Sequence, residues 1–312
     1  MDDMRSLSIS GRLILDMHSL NNEGSEGNHL QSRMVHIVNE QGELEVVNAV
    51  SGDMLKHIQT EHLHNIYLEK EVELCEGCSK LDANRINIDD GFFKKLGKEK
   101  DIAKITSELL QYCAMDDTQG VLITKGNRST PRKSVVEFGW LIGLPNKNHT
   151  ESYFHVKFDN NREDGSGSND GSNTGQNIFY RPANSGEYAL VLNVELDRIG
   201  FNDVTKEYVI NDEERKLRLK SILESIIFTF IKPSGASRNT QNPHILGFEG
   251  IVSISNTSIP APTVSPLKSN YLEEIEHVTE ELNRLKSESI ITFPFKSQSE
   301  FTKVMIDLIE KI

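Results

Sequence analysis

A chain of 312 residues with 37% hydrophobic content has enough apolar material for one large domain or two ordinary ones. Its 47 acidic and 34 basic side chains give a formal net charge of −13, which argues against a nucleic-acid partner unless cations are gathered on one surface. No stretch approaches the roughly 18 apolar residues of a membrane span, so the expectation is a cytoplasmic protein with neither signal peptide nor membrane helix, and three cysteines without a secretory signal argue against a disulfide framework.

The alternation of Leu7, Ile9, Gly11, Leu13, Leu15 and Met17 with more polar neighbours predicts a half-buried strand. A polar loop follows, with a short hairpin expected around Gln41-Gly42. The stretch NAVSGDMLKH then begins a helix: Ser51 is the candidate N-cap, and Leu55, Ile58, His62 and Ile66 form its stripe. Residues 71–118 read as an irregular, mainly helical insertion whose clearest helix runs from Asp101 to Met115. GVLIT at 120–124 is a short apolar strand. Residues 125–185 hold basic side chains, hairpin-like pieces and the tract DNNREDGSGSNDGSNTG, whose composition cannot build a core.

The second half is more regular. EYALVLNVELDRIG alternates as a strand, the run after Asp212-Glu213-Glu214 is a helix ended by Pro233, and ILGFEGIVSIS is a last strand. Without the insertions the order is strand, helix, strand, strand, helix, strand, the α+β split arrangement of ferredoxin-like and RNA-recognition folds. Two amphipathic helices beyond Pro260, one on Leu272, Ile275, Val278, Leu282 and Leu285 and one on Phe301, Val304, Met305, Leu308 and Ile309, are expected to pack on that core.

Cys75-x-x-Cys78 is half the spacing of a zinc site, but only Cys113 and distant histidines are left to complete it, so no metal is expected. His57, His62 and His64 lack the spacing that sets two ligands one helical turn apart. There is no phosphate-binding loop of the nucleotide-hydrolysing type. Asp16, Asp53, Asp116 and Asp117 have no telling partner, so no catalytic residue and no cofactor are assigned. An anion site is conceivable at the helix start, where Ser51, Gly52 and Lys56 offer a cap, a small residue and a cation; the plainer alternative is an ordinary N-cap with an Asp53–Lys56 surface pair. The loop Ser234-Gly-Ala-Ser-Arg238 offers similar chemistry. GVLIT lacks the aromatics that stack bases, so any RNA would be held by its backbone.

ISGRLILDMHSLN, EGNHLQSRMV, NAVSGDMLKH, LCEGC, DDTQGVLIT, EYALVLNVELDRIG and PSGASR, in this order over about residues 5–256, resemble the Cas-seven-type backbone subunit of CRISPR type I Cascade complexes, in its DevR or Csa-type branch, subtype I-B or I-A. The resemblance implies a ferredoxin-like palm from 1–70, 119–124 and 186–259, a helical finger at 71–118, a thumb at 125–185 and C-terminal helices at 260–312. It implies copies stacked head to tail along a CRISPR RNA among other Cascade subunits, with target DNA met through the guide. It carries RNA contact onto Asn28, Arg33, Ser51, Gly52, Lys56, Ser234, Gly235, Ser237 and Arg238, and less securely onto Arg128, Arg132, Lys133 and Arg181 in the thumb. Two other readings compete. An RNA-cleaving subunit of type III character would use an acidic residue in the loop after the first strand, where this chain offers Glu23 and Glu26 but no aspartate; a ferredoxin-like regulatory protein would have nothing to do with RNA.

Overall fold

The computed structural model describes residues 4–158, 176–237 and 239–312; Arg238 and the whole of DNNREDGSGSNDGSNTG lie outside the described residues. The first alternation forms β1 (Ser6–His18). The polar loop behind it folds into two hairpins, β2 (Asn22–Glu26) with β3 (His29–Ser32) and β4 (Met34–Val38) with β5 (Leu44–Val50), the second turning at Gly42, where a φ of +82° favours glycine. Then comes α1 (Gly52–Glu69), capped by Ser51, whose Oγ accepts from the Met54 N–H at 3.2 Å.

The insertion carries α2 (Glu76–Ser79), α3 (Asp90–Leu96), α4 (Ile102–Tyr112) and α5 (Ala114–Gln119). Cys75, Asp89, Asp101 and Cys113 cap these helices in turn, and Cys113 splits the single helix expected at 101–115 into two. The chain continues through β6 (Val121–Ile123), β7 (Thr130–Arg132), β8 (Val136–Phe138), β9 (Leu141–Phe158), β10 (Gln176–Glu195), β11 (Phe201–Asn202) and β12 (Glu207–Tyr208). It ends with α6 (Asp212–Ile231), β13 (His244–Ser255), α7 (Tyr271–Asn283), β14 (Ile290–Phe295) and α8 (Gln298–Glu310).

The principal sheet runs β14-β13-β1-β10-β9-β5-β4, and β8 also pairs with β10. β1 is central, antiparallel to β13 over Ser6–Asp16 and to β10 over Ser6–His18. One expectation is overturned: Val121–Ile123 does not join this sheet but pairs with β7 in a two-stranded sheet of its own. The place beside β10 belongs to β8, which pairs with it over Leu192–Val194, and to the start of β9. Past Asn184 the strands β9 and β10 leave β1 behind and continue as a hairpin arm, touched by β3 at Tyr180.

Strand alternation divides the molecule into two apolar layers. Leu7, Ile9, Leu13 and Leu15 of β1 and Val252 and Ile254 of β13 face α1, α6 and α8, with Phe230, Phe248, Phe295 and Phe301 closing the core in edge-to-face and tilted contacts. Ile251 faces the other way and meets Tyr271 and Ile275 of α7. Both tail helices therefore pack on the sheet, but on opposite faces. The strand β14 between them was not foreseen: it contains Pro294, which a sheet tolerates at an edge, and β14 is an edge.

Asp117 in α5 is fully buried and ties three segments together. Its Oδ1 accepts from Arg132 at 2.6 Å and its Oδ2 from Arg218 at 2.8 Å and from the Gly200 N–H at 2.9 Å. A single uncompensated charge in such a setting costs about 3–5 kcal/mol, so the triad is a structural necessity once formed.

Candidate nucleic-acid interface

The start of α1 and the loop after α6 are far apart in sequence, and a two-residue seam, Leu20 and Asn21, joins them. The Ala236 N–H donates to the Leu20 carbonyl at 3.1 Å, and a Cβ on Gly235 would sit 2.5 Å from the Leu20 Cα, so only glycine lets this loop lie on the end of β1. The next residue, Asn21, accepts the Ser51 N–H on its Oδ1 at 2.7 Å. Ser234–Ser237 and Ser51–Lys56 thus share one side of the fold, linked through Leu20 and Asn21, residues that sequence reasoning passed over.

Ser51 and Gly52 themselves take the plainer role. The hydroxyl of Ser51 caps the helix and its N–H is held by Asn21; a Cβ on Gly52 would lie 2.5 Å from the Phe138 carbonyl oxygen, so glycine is required there to pack α1 on β8. Both residues are buried and are withdrawn as direct phosphate donors. Lys56, one turn further on, behaves differently. It lines a cleft of about 350 Å³ with Asp53, His57, Asp82 and Arg85, and among the described residues it makes no ion pair. Its pKa is pulled below the ordinary lysine value, chiefly by burial and next by the positive charge of Arg85. Lys56 and Arg85 thus repel one another across the opening, while Asp53 and Glu137 act on Lys56 in the opposite sense. Arg85 was not anticipated; it lies in the insertion, where no periodicity points to it, and its φ of +51° reflects the tight turn that brings it back to α1.

The remaining candidates divide. Arg132 is corrected: its guanidinium is 1% exposed and is saturated by Asp117, Asp203 and the carbonyls of Asp117, Phe201 and Arg198, so it holds the core and is not available to RNA. Arg128 donates to the carbonyls of Gly97, Glu99 and Lys125 and stacks on Phe93, which pins it within the insertion. Lys133 is exposed. Arg181 on the arm stacks on Phe179 and donates to Thr240 at 3.1 Å, bringing the arm against the loop after α6. Arg33 lies over the half-exposed Trp140 ring, and Asn28 sits exposed in the β2–β3 turn, its carbonyl accepting from the Tyr180 N–H at 2.9 Å.

A second groove of about 720 Å³, between the β4–β5 hairpin and residues 265–269, is lined by Glu40, Glu43 and Glu45 together with Arg12, Lys147 and Lys268, so its acids and bases balance. No helix among the described residues is long and apolar enough to cross a membrane.

A model of the family described as "CRISPR-associated negative auto-regulator DevR/Csa2" matches residues 9–276. The chain belongs to the DevR/Csa2 family. A protein of Methanocaldococcus jannaschii named "CRISPR-associated protein Cas7/Cst2/DevR" is 28% identical to this DevR/Csa2 chain over 327 residues, covering 98% of it and 99% of the relative. Among solved structures, a chain of a "CRISPR RNA-guided surveillance complex, pre-nicking" aligns at 13% identity with a TM-score of 0.48, over 92% of this chain and 90% of that one. A chain of a "CRISPR RNA-guided surveillance complex" does so at 13% and 0.46, over 92% and 87%. The family assignment rests on the family match and not on these two alignments.

Proposed function

We propose that this DevR/Csa2 protein is a non-catalytic, CRISPR RNA-binding backbone subunit of a type I Cascade complex, of subtype I-B or I-A, that oligomerises head to tail along the guide and holds it for pairing with target DNA. The observation that carries the reading is that Lys56 and Arg85 meet in an open cleft at the start of α1, with Asp53 and Asp82 in the same lining but no ion pair taking up Lys56 among the described residues, on the side of the fold where the loop after α6 also lies. Such a site takes phosphate and reads no base, which suits a protein whose sequence specificity is delegated to base pairing.

The topology supports the same reading. The order β13-β1-β10-β8 with α1 and α6 packed on one face has the split strand-helix-strand arrangement of an RNA-recognition palm, with β8 in the role expected of 120–124. In this reading the helical insertion at 71–118 is the finger, and the β9–β10 arm within 125–185 is the thumb. Asn28 and Arg33 in the loop after β1, Ser234, Gly235, Ser237 and Arg238 after α6, and Arg181 on the arm lie along the guide, and the cytoplasm is the compartment. The type III alternative has nothing to recommend it here: Glu26 is engaged by Gln31 at 3.0 Å, and the loop after β1 holds no aspartate.

The test is co-expression with the other subunits and a guide. Lys56→Glu and Arg85→Glu, singly and together, are expected to abolish co-purification with RNA of one defined length while the melting temperature of the purified chain stays within a few degrees of wild type. Guide RNA loaded at the wild-type level in the double variant would refute the site.

A further inference from the structure

Behind the wall of that cleft, Cys75, Cys78, Cys113 and Asp116 are all buried, and three Sγ atoms and one carboxylate oxygen lie within 4.8 Å of one another. The cluster is assembled from two copies of one local device. Cys75 caps α2, and its Sγ accepts the N–H of Cys78 at 3.3 Å; Cys113 caps α5, and its Sγ accepts the N–H of Asp116 at 3.4 Å. Each device is therefore a donor at the cap and a second donor three residues on, held by an N–H···S bond that stabilises negative charge on sulfur. The two face each other, with the sulfurs of Cys75 and Cys78 at 3.3 and 3.4 Å from the two oxygens of Asp116.

This is not how buried cysteines usually sit. As small hydrophobes they pack on apolar neighbours, whereas here three sulfurs converge on a carboxylate that has been carried into the core. The turn is also pressed tightly: Gly77, between the first two cysteines, is covered by the backbone of Arg85, so that a Cβ there would run into its carbonyl. Three soft thiolates and one oxygen, enclosed and four in number, are the donor set of a closed tetrahedral site. Magnesium and calcium ask for oxygen alone, so the set selects a thiophilic divalent ion.

We propose that Cys75, Cys78, Cys113 and Asp116 bind one structural Zn²⁺. The ion would cross-link the two ends of the helical insertion, since Cys75 follows α1 and Asp116 lies in α5, the last helix before β6. Closing so long a segment at its base removes much of the freedom the insertion would otherwise have, and ties metal binding to local folding. Cys78 also lines the cleft that holds Lys56 and Arg85, so the ion sets the wall of the cleft as well.

The experiment uses the full chain, purified without chelator under reducing conditions. Elemental analysis is expected to return one zinc per chain, and exchange with Co²⁺ to give thiolate-to-cobalt charge-transfer absorption with the visible bands of a tetrahedral ion. Cys113→Ser and Asp116→Asn should each lower zinc content at least tenfold, while Asp116→Cys should retain it, which separates lost ligation from a failure to fold. A strong chelator should lower the melting temperature of wild type, with recovery on adding Zn²⁺ but not Mg²⁺. Wild-type protein with no stoichiometric metal and no cobalt–thiolate absorption, or with a Cys75–Cys78 disulfide in its place, would overturn the site; stoichiometric iron would overturn the identity of the ion.

Discussion

His18 is the residue in which burial most plainly sets chemistry. Its Nε2 is 2.9 Å from the Tyr188 hydroxyl, which donates to Asn48 at 2.9 Å, and Asn48 in turn donates to the Arg33 carbonyl at 3.0 Å, so one buried polar chain runs from the end of β1 to the segment that carries Arg33. Burial lowers the His18 pKa to about 4, from 6.5. The unfolded chain therefore takes up a proton near pH 6.5 that the folded chain refuses until about pH 4. Stability from this group is fully present above pH 6.5 and is lost as pH falls towards 4, by about 3 kcal/mol in all. Urea midpoints measured from pH 7.5 to 4.5 should fall more steeply for wild type than for His18→Gln; parallel curves would mean that His18 is not buried neutral.

At the scale of elements, the start of α1 separates packing from binding. In Gly52→Ala the new Cβ would meet the carbonyl oxygens of Phe138 at 2.5 Å and Gly139 at 3.3 Å, backbone atoms that cannot swing aside. We expect a loss of about 1–3 kcal/mol, typical of overpacking, read as a lower urea midpoint at pH 7.5. Were Gly52 instead kept small for an incoming phosphate, alanine would raise helix stability by up to about 1 kcal/mol and harm only RNA loading. The same region shows what the sequence could and could not reveal. β1, α1, α6 and β13 were legible because apolar period and caps agree within each segment. β8 was not, because its three residues Val136–Phe138 are cut off from the apolar start of β9 by Gly139 and Trp140, and so short a piece shows no period. Arg132 was misjudged because a cation in a basic stretch reads as exposed until the buried Asp117 is seen opposite it. The C-x-x-C half of the cysteine cluster was visible, but its partner is Cys-x-x-Asp, and the carboxylate gave no signal before the fold placed it.

For the whole molecule, the difficulty is a formal charge of −13 on a chain read as gripping RNA. The fold distributes that charge. Asp212, Glu213 and Glu214 begin α6, whose 20 residues put about 30 Å between them and the loop after its end. Glu273, Glu274, Glu276, Glu280 and Glu281 lie on α7, which covers the face of the sheet opposite α1. On the proposed function the acids would repel RNA from the outer faces, and Lys56 and Arg85 would meet it at the cleft. Binding through phosphates must then depend on salt. Filter binding of the purified full chain to guide-length single-stranded RNA over a range of KCl should give log K falling linearly with log salt, and Lys56→Gln should make that slope shallower by about 0.7, the release of counterion for one phosphate on a single strand. Lys268→Gln, whose ammonium pairs with Glu274 at 2.8 Å on the far face, should leave the slope unchanged. If the two variants shift it equally, the net field of the protein and not the Lys56 cleft governs the encounter with RNA.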